Sequence, residues 1–149
     1  MKVAKILCKY ENDNCTTDDH FRDTPLIYAA LYGHVEVVRV LLEGGANPDR
    51  ANADQRTALH FAASNGMLEV CLLLLDWGAK VDSVDKWKNT PLHDAAGQEH
   101  FSVVKLLVAR GADFRLKNNK NLTAMEEARR ELFIDVADWL ESVSRGNES

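Results

Sequence analysis

Thr24, Thr57, Thr90 and Thr123 recur at one fixed interval of 33 residues and open the same short text: Thr-Pro-Leu-Ile, Thr-Ala-Leu-His, Thr-Pro-Leu-His and Thr-Ala-Met-Glu. Alignment on the threonines brings further columns into register. Ala29, Ala62, Ala95 and Ala128 share one, Val37, Val70, Val103 and Val136 another, and Leu41, Leu74, Leu107 and Leu140 a third. Gly45-Ala46, Gly78-Ala79 and Gly111-Ala112 close three of the units. A period of this length restricts the chain to a stack of small supersecondary units, none of which buries its apolar face without a neighbour.

Each column holds the residue type its place requires. The threonine hydroxyl caps a helix N-terminus, and Pro25 and Pro91 directly after it take the first helical position, where a missing N–H costs no hydrogen bond. The paired alanines Ala29-Ala30, Ala62-Ala63 and Ala95-Ala96 let helices approach closely, and Val37, Val38, Leu41 and Leu42 recur at helical spacing on a second helix. Gly45, Gly78 and Gly111 follow the second helices, where a left-handed residue ends a helix without a Cβ penalty. Each unit reads as helix, turn, helix and loop.

The Thr-Pro-Leu-His text in a 33-residue period resembles the ankyrin repeat, and the likeness runs over nearly the whole chain. It implies an all-α ankyrin-repeat solenoid of stacked helix-turn-helix units with β-hairpin loops projecting sideways. The expected division is a partial N-terminal unit or capping helix with an acidic linker at 1–18, repeats at 19–51, 52–84 and 85–117, a C-terminal capping repeat at 118–143 and a disordered tail at 144–149. One period before Val37 lies Ala4, so Val3, Ile6, Leu7 and Tyr10 read as what remains of a second helix. Two readings of that segment stay open: a short capping helix, or the edge of a shortened product whose apolar face is free for dimerisation. At the other end Arg129, Glu141 and Ser144 replace small, apolar and glycine residues of their columns, as a solvent-facing terminal unit requires. Thr123-Ala124-Met125-Glu126 is a capping box.

Composition adds bounds. With 46% apolar and 28% charged residues the chain has the make-up of an ordinary soluble domain. The longest apolar run, Val70 to Leu75, is too short to span a bilayer, and Met1-Lys2-Val3-Ala4-Lys5 leads into no secretory signal. No membrane contact and a cytoplasmic or nuclear location are expected. A net charge of −5 argues against nucleic acid as a partner. Cys8, Cys15 and Cys71 are odd in number without metal-ligand spacing, and Cys71, in the column of Val38 and Val104, reads as a reduced core residue. No nucleophile elbow, phosphate loop, zinc-protease helix or dinucleotide loop is present, so no catalysis, cofactor or metal is expected. His60 and His93 share a column in which, by the ankyrin resemblance, the ring hydrogen-bonds the threonine and nearby backbone. His34 and His100 share another, at the turn into the second helix, and also read as structural.

The function is then expected on a surface, and the resemblance places it on the concave strip formed by hairpin tips and first-helix flanks, with another protein as partner, peptide or domain. Carried over column by column, the partner-binding residues are Phe21, Tyr32, Arg56, Asn65, Trp87, Gly97, Gln98 and Lys120. Phe21 and Trp87 occupy a tip column held elsewhere by Asp54 and Lys120, and exposed aromatics make interface anchors. The alternative for Trp87 is that it folds over its own hairpin. Unit three breaks a pattern, since Glu99 stands where Gly33 and Gly66 lie between helices and Gly97 comes two residues earlier. An altered helix end is expected there, by neutral drift or, alternatively, as a notch beside Trp87 where a partner side chain enters. Acidic Glu11, Asp13, Asp18 and Asp19 lie at one end, and Arg110, Arg115, Lys117 and Lys120 gather around the last hairpin. Two readings stay open: a partner acidic where it meets units three and four and basic at the other end, or a mixed solvated surface.

Two classes of function fit. One is a non-catalytic interaction module, an adaptor or scaffold. The other is a regulatory inhibitor of an enzyme such as a kinase, since the chain resembles in size the small ankyrin-type inhibitors of cyclin-dependent kinases; the first helix of unit two, Thr57 to Asn65, however looks full length where those inhibitors have an irregular one. A monomer is expected, with dimerisation through the N-terminal edge as the alternative. The resemblance also raises asparaginyl hydroxylation four residues past each closing glycine, but those positions hold Asp49, Asp82 and Arg115.

Overall fold

The structure, a computed structural model, describes residues 23–146. Eight helices follow in order: α1 (Pro25–Leu31), α2 (Val35–Glu43), α3 (Ala58–Ser64), α4 (Leu68–Asp76), α5 (Pro91–Gly97), α6 (Phe101–Ala109), α7 (Ala124–Arg130) and α8 (Ile134–Gly146). They form four helix-turn-helix units, with no strand among the described residues. The expectations for Val3, Ile6, Leu7, Tyr10, Cys8, Cys15 and Phe21 concern positions outside the described residues.

The four threonines start the four first helices. Each has extended backbone, and its Oγ1 accepts the N–H of the residue three along: Ile27, His60, His93 and Glu126. In the last three units that residue returns the bond, with His60, His93 and Glu126 accepting the threonine N–H at 3.1–3.2 Å. Such a cap is worth about 1 kcal/mol. It cannot hold a seven-residue helix alone, because nucleation is too costly at that length. Stacking does that work. The first helices α1, α3, α5 and α7 pack on one another more closely than the second helices do, through the buried alanine columns. Leu26, Leu59 and Leu92 from the first helices join Leu41, Leu74, Leu107 and Leu140 from the second in one continuous core. Cys71 is free and fully buried in it, and burial pushes its thiol up to about 12, so it is inert packing.

Two expectations are corrected. The helix end in unit three is not altered: α5 has the same seven residues as α1 and α3, and Glu99 itself adopts the left-handed backbone, at φ 62° beside 71° and 69° for Gly33 and Gly66. The backbone bond that closes each helix end holds the turn, His100 N–H to Ala95 O at 2.9 Å as Phe133 N–H to Ala128 O at 2.8 Å, and Leu132 takes the same conformation at φ 67°. His100 Nε2 also donates to Ser64 O at 2.9 Å and docks the start of α6 on the preceding unit. At the C-terminus α8 continues through Ser144, Arg145 and Gly146 rather than ending at Val143. Glu141 draws it on, accepting from Arg145 one turn later at 2.8 Å and from Arg129 at 3.2 Å. That network covers the end of the stack with charge.

The left-handed turn makes a paired test. Glu99→Gly should raise stability by about 1 kcal/mol, because a side chain in that conformation costs ~1–2 kcal/mol. Gly66→Ala should lower it by more, since its Cβ would lie 2.5 Å from His100 Nδ1 at φ 69°. Urea midpoints at constant slope measure both; an unchanged Glu99→Gly midpoint would show that the turn is unstrained.

Candidate protein-interaction surface

Side chains at the base of each connecting loop build the surface. Asn52 Oδ1 accepts the N–H groups of Asp54 and Arg56, both at 3.0 Å. Asp85 Oδ1 does the same for Trp87 and Asn89 at 2.9 Å, and Asn118 Oδ1 for Lys120 and Leu122 at 3.0 and 3.1 Å. Two backbone bonds close each loop, for example Asp85 N–H to Asn89 O at 3.1 Å and Lys88 N–H to Asp85 O at 2.9 Å, which gives a hairpin shape without strands. Adjacent tips are joined through backbone: Lys86 N–H donates to Asp54 O at 3.0 Å and Asn119 N–H to Trp87 O at 2.9 Å.

A second set of bonds seats the hairpins of units three and four on the unit before each. His60 Nε2 donates to Asn89 O at 2.9 Å and His93 Nε2 to Leu122 O at 2.8 Å. With Nδ1 accepting the threonine N–H, both rings are neutral, and burial lowers their affinity for a proton, that of His60 to a pKa of about 4. Beside them runs a polar side-chain joint. Asn52 Nδ2 donates to Asp23 Oδ1 at 2.8 Å, and Asn118 Nδ2 to Asn89 Oδ1 at 2.9 Å. Between these, Arg56 takes the place of an amide, bonding Asp85 Oδ2 at 2.8 Å and Asp94 Oδ2 at 3.0 Å while its guanidinium lies 4.8 Å from the Phe61 ring centre. Burial drives the Asp94 carboxyl up to about 7; Arg56 pulls the other way, and Asp85 and Glu127 add to the rise.

The sequence-selected residues fall into three groups. Tyr32, at 63% exposure, caps α1 with its ring stacked on Tyr28 at 6.4 Å. Trp87 is 39% exposed at its tip, with Lys86 Nζ 4.5 Å above the ring and that ammonium paired to Asp54 at 2.6 Å, so it is both presented and braced by its own loop. Arg56 and Asn65 hold the stack together: the Arg56 side chain is 15% exposed and committed to two carboxylates, and Asn65 Nδ2 donates across the unit boundary to Leu31 O at 3.0 Å. Gly97, Gln98 and Lys120 come together. With Asn89, His93, Asp94, Glu127, Glu131 and Phe133 they line a cleft of ≈ 330 Å³ between units three and four.

That cleft reverses the expected charge. Arg110 is paired with Asp76 at 2.8 Å and Arg115 with Asp113 at 3.1 Å, and neither lines the cleft. Carboxylates dominate it instead. Asp94 and Glu127 escaped the sequence reading, although they stand in one column with Tyr28 and Phe61, which turns from aromatic to acidic halfway along the chain. Asp49 and Asp82 accept the backbone N–H groups of Lys80 and Asp113 at 2.8 and 3.0 Å, so the positions raised for hydroxylation act as links between outer loops.

The family model for ankyrin repeats (3 copies) matches residues 1–85, more than half of the chain, and that for ankyrin repeats (many copies) matches 78–128. The chain belongs to the ankyrin-repeat family. No curated protein matches it. Ankyrin repeats are generally non-catalytic modules of protein–protein interaction. No helix among the described residues of this ankyrin stack is long and apolar enough to cross a membrane, and no three His, Cys, Asp or Glu side chains among them are grouped to hold a metal ion.

Two buried groups in the ankyrin stack respond to acid with opposite sign. His60 titrates near 4 when folded and 6.5 when free, so its contribution is complete above 6.5 and is lost as pH falls toward 4. Asp94 titrates near 7 when folded and 3.8 when free, so its contribution is complete below 3.8 and is lost as pH rises through 7. Between 6.5 and 4 they offset one another. Asp94→Asn should therefore lose stability more steeply than the parent on acidification from pH 6.5 to 4.5, by on the order of 2 kcal/mol. Urea unfolding at several pH values measures this, and parallel curves would show that Asp94 carries no extra proton in the fold.

Proposed function

We propose that this chain is a non-catalytic adaptor or scaffold that grips one protein partner along the concave strip of hairpin tips and first helices. The observation that carries this reading is the presentation of Tyr32 and Trp87 on rigid supports: both are large, both are exposed, and the Trp87 loop is fixed by the Asp85 carboxylate and by backbone bonds to both neighbouring tips. Anchors fixed before binding lose little entropy on complex formation. The repeat divisions at 19–51, 52–84, 85–117 and 118–143 belong to this reading, as do a monomeric state and a cytoplasmic or nuclear location. Inhibition of a kinase is the second reading. The seven-residue α3, equal in length to α1 and α5, counts against a likeness to the small kinase inhibitors.

Affinity capture with the parent chain beside a Trp87→Ala, Tyr32→Ala variant of equal helicity tests the proposal. Partners of the parent should bind the variant at least about tenfold more weakly, since loss of an aromatic anchor typically costs about 2 kcal/mol or more. Equal capture by both chains would remove the concave strip as the binding face, and a single kinase recovered with its activity blocked would favour inhibition.

A further inference from the structure

We propose that the cleft between the third and fourth units is a recognition pocket for one lysine or arginine side chain of the bound protein. This rests on the concave-strip reading above and names the partner's chemistry at one point of it. Asp94, Glu127 and Glu131 line the cleft together with Lys120, so three carboxyl groups stand in its wall beside one ammonium without converging on a single point. The other basic groups nearby are already used. Arg56 is shared between Asp85 and Asp94, and His93 is neutral with both ring nitrogens bonded.

Asp94 supplies the independent sign that something is received there. Its side chain is 10% exposed, Oδ2 accepts from Arg56, and Oδ1 has no hydrogen-bond partner among the described residues. A buried carboxylate with a vacant oxygen carries a desolvation cost that a donor cation entering the cleft offsets. Glu127 is held for the same contact, since its Oε1 accepts from Asn118 Nδ2 at 2.9 Å. Gly97 keeps the entrance open: a Cβ built there meets nothing within 4 Å, and its column holds Leu31, Ser64 and Arg130 in the other units. The volume of ≈ 330 Å³ suits one side-chain head and stem, at the small end of ligand pockets, which start at roughly 300 Å³. A bare metal ion fits poorly, because no three ligating side chains among the described residues converge.

The entering cation also acts on the proton at Asp94, whose charged and titratable neighbours are Arg56, Asp85, Glu127, His93 and Lys120. It favours the ionised carboxylate, so binding releases a proton and tightens as pH rises from 6 to 8.

The test is selection of a random peptide library on the full chain, compared with a Glu127→Gln, Glu131→Gln variant that keeps the Asn118 bond. Peptides enriched on the parent should share one fixed Arg or Lys. Its replacement by Gln should weaken binding at least tenfold on the parent and far less on the variant, and the rise in affinity from pH 6 to 8 should be absent in Asp94→Asn. Enriched peptides with no shared cation, or with an equal penalty on both chains, would overturn the pocket. If such peptides still depend on Trp87 and Tyr32, the concave strip stands while the pocket falls; if they depend on neither, both readings fall. Should no sequence be enriched, N-acetyl-arginine amide titrated into the ¹⁵N-labelled chain decides. Saturable shifts at Gly97, Gln98 and Glu131 support the pocket, and their absence overturns it.

Discussion

The hydrogen bond from a buried imidazole to the backbone of the next unit sets the geometry of this stack. His60 and His93 each do two things: Nδ1 receives the N–H of the helix-capping threonine, and Nε2–H reaches a carbonyl 29 residues further on. Only a neutral ring with its proton on Nε2 satisfies both. A second proton would set two N–H donors against each other in a site that water does not reach, which is why burial, the largest influence on these rings, disfavours the charged form. In units two and three, helix start, helix spacing and hairpin position are therefore coupled through one small ring each.

Once the hairpins are seated, the loop side chains have little freedom left. The Asx oxygens at 52, 85 and 118 fix the backbone that carries Asp54, Trp87 and Lys120, and tip-to-tip bonds prevent one hairpin from moving without its neighbours. Unit two departs from this amide-based scheme by using Arg56. One guanidinium between two carboxylates leaves a net negative charge in a largely buried place, and a buried ion pair returns little net stability after desolvation. The arrangement is thus poorly explained by stability alone. Its consequence is electrostatic: it leaves a proton-binding carboxyl at the wall of the cleft.

Most of the fold was legible in the sequence because four copies of one pattern restrict each column in four ways. The caps, the alanine approach, the leucine core and Cys71 all follow from column chemistry. What was not legible are contacts that cross columns. Arg56 reads as a surface cation until the chain one unit on brings Asp85 and Asp94 to it, and Asp94 reads as an ordinary polar residue for the same reason. The basic cluster near the last hairpin misled similarly, since Arg110 and Arg115 spend their charge on Asp76 and Asp113, away from the cleft. Glu99 misled in the opposite sense. Glycine in two copies implied that the turn needed glycine, whereas the backbone bond closing each helix end holds Glu99 and Leu132 in the same conformation.

A stack of this kind separates the columns that hold it together from those that face outward. The threonine, first alanine and second-helix leucine columns keep their chemistry because their neighbours in the adjoining units depend on it. The column of Tyr28, Phe61, Asp94 and Glu127 shows more freedom, passing from aromatic to acidic between units two and three, and so does the next flank column of Tyr32, Asn65, Gln98 and Glu131. Successive helices in such packing lie about 8–10 Å apart, so each unit offers one position of a partner a separate environment. On the concave-strip proposal, aromatic surface at one end and carboxyl groups at the other favour a partner whose side chains run apolar then basic. That order favours one direction along the partner, because the reversed partner would set apolar side chains against the carboxyl groups of the cleft and gain no charge contact there.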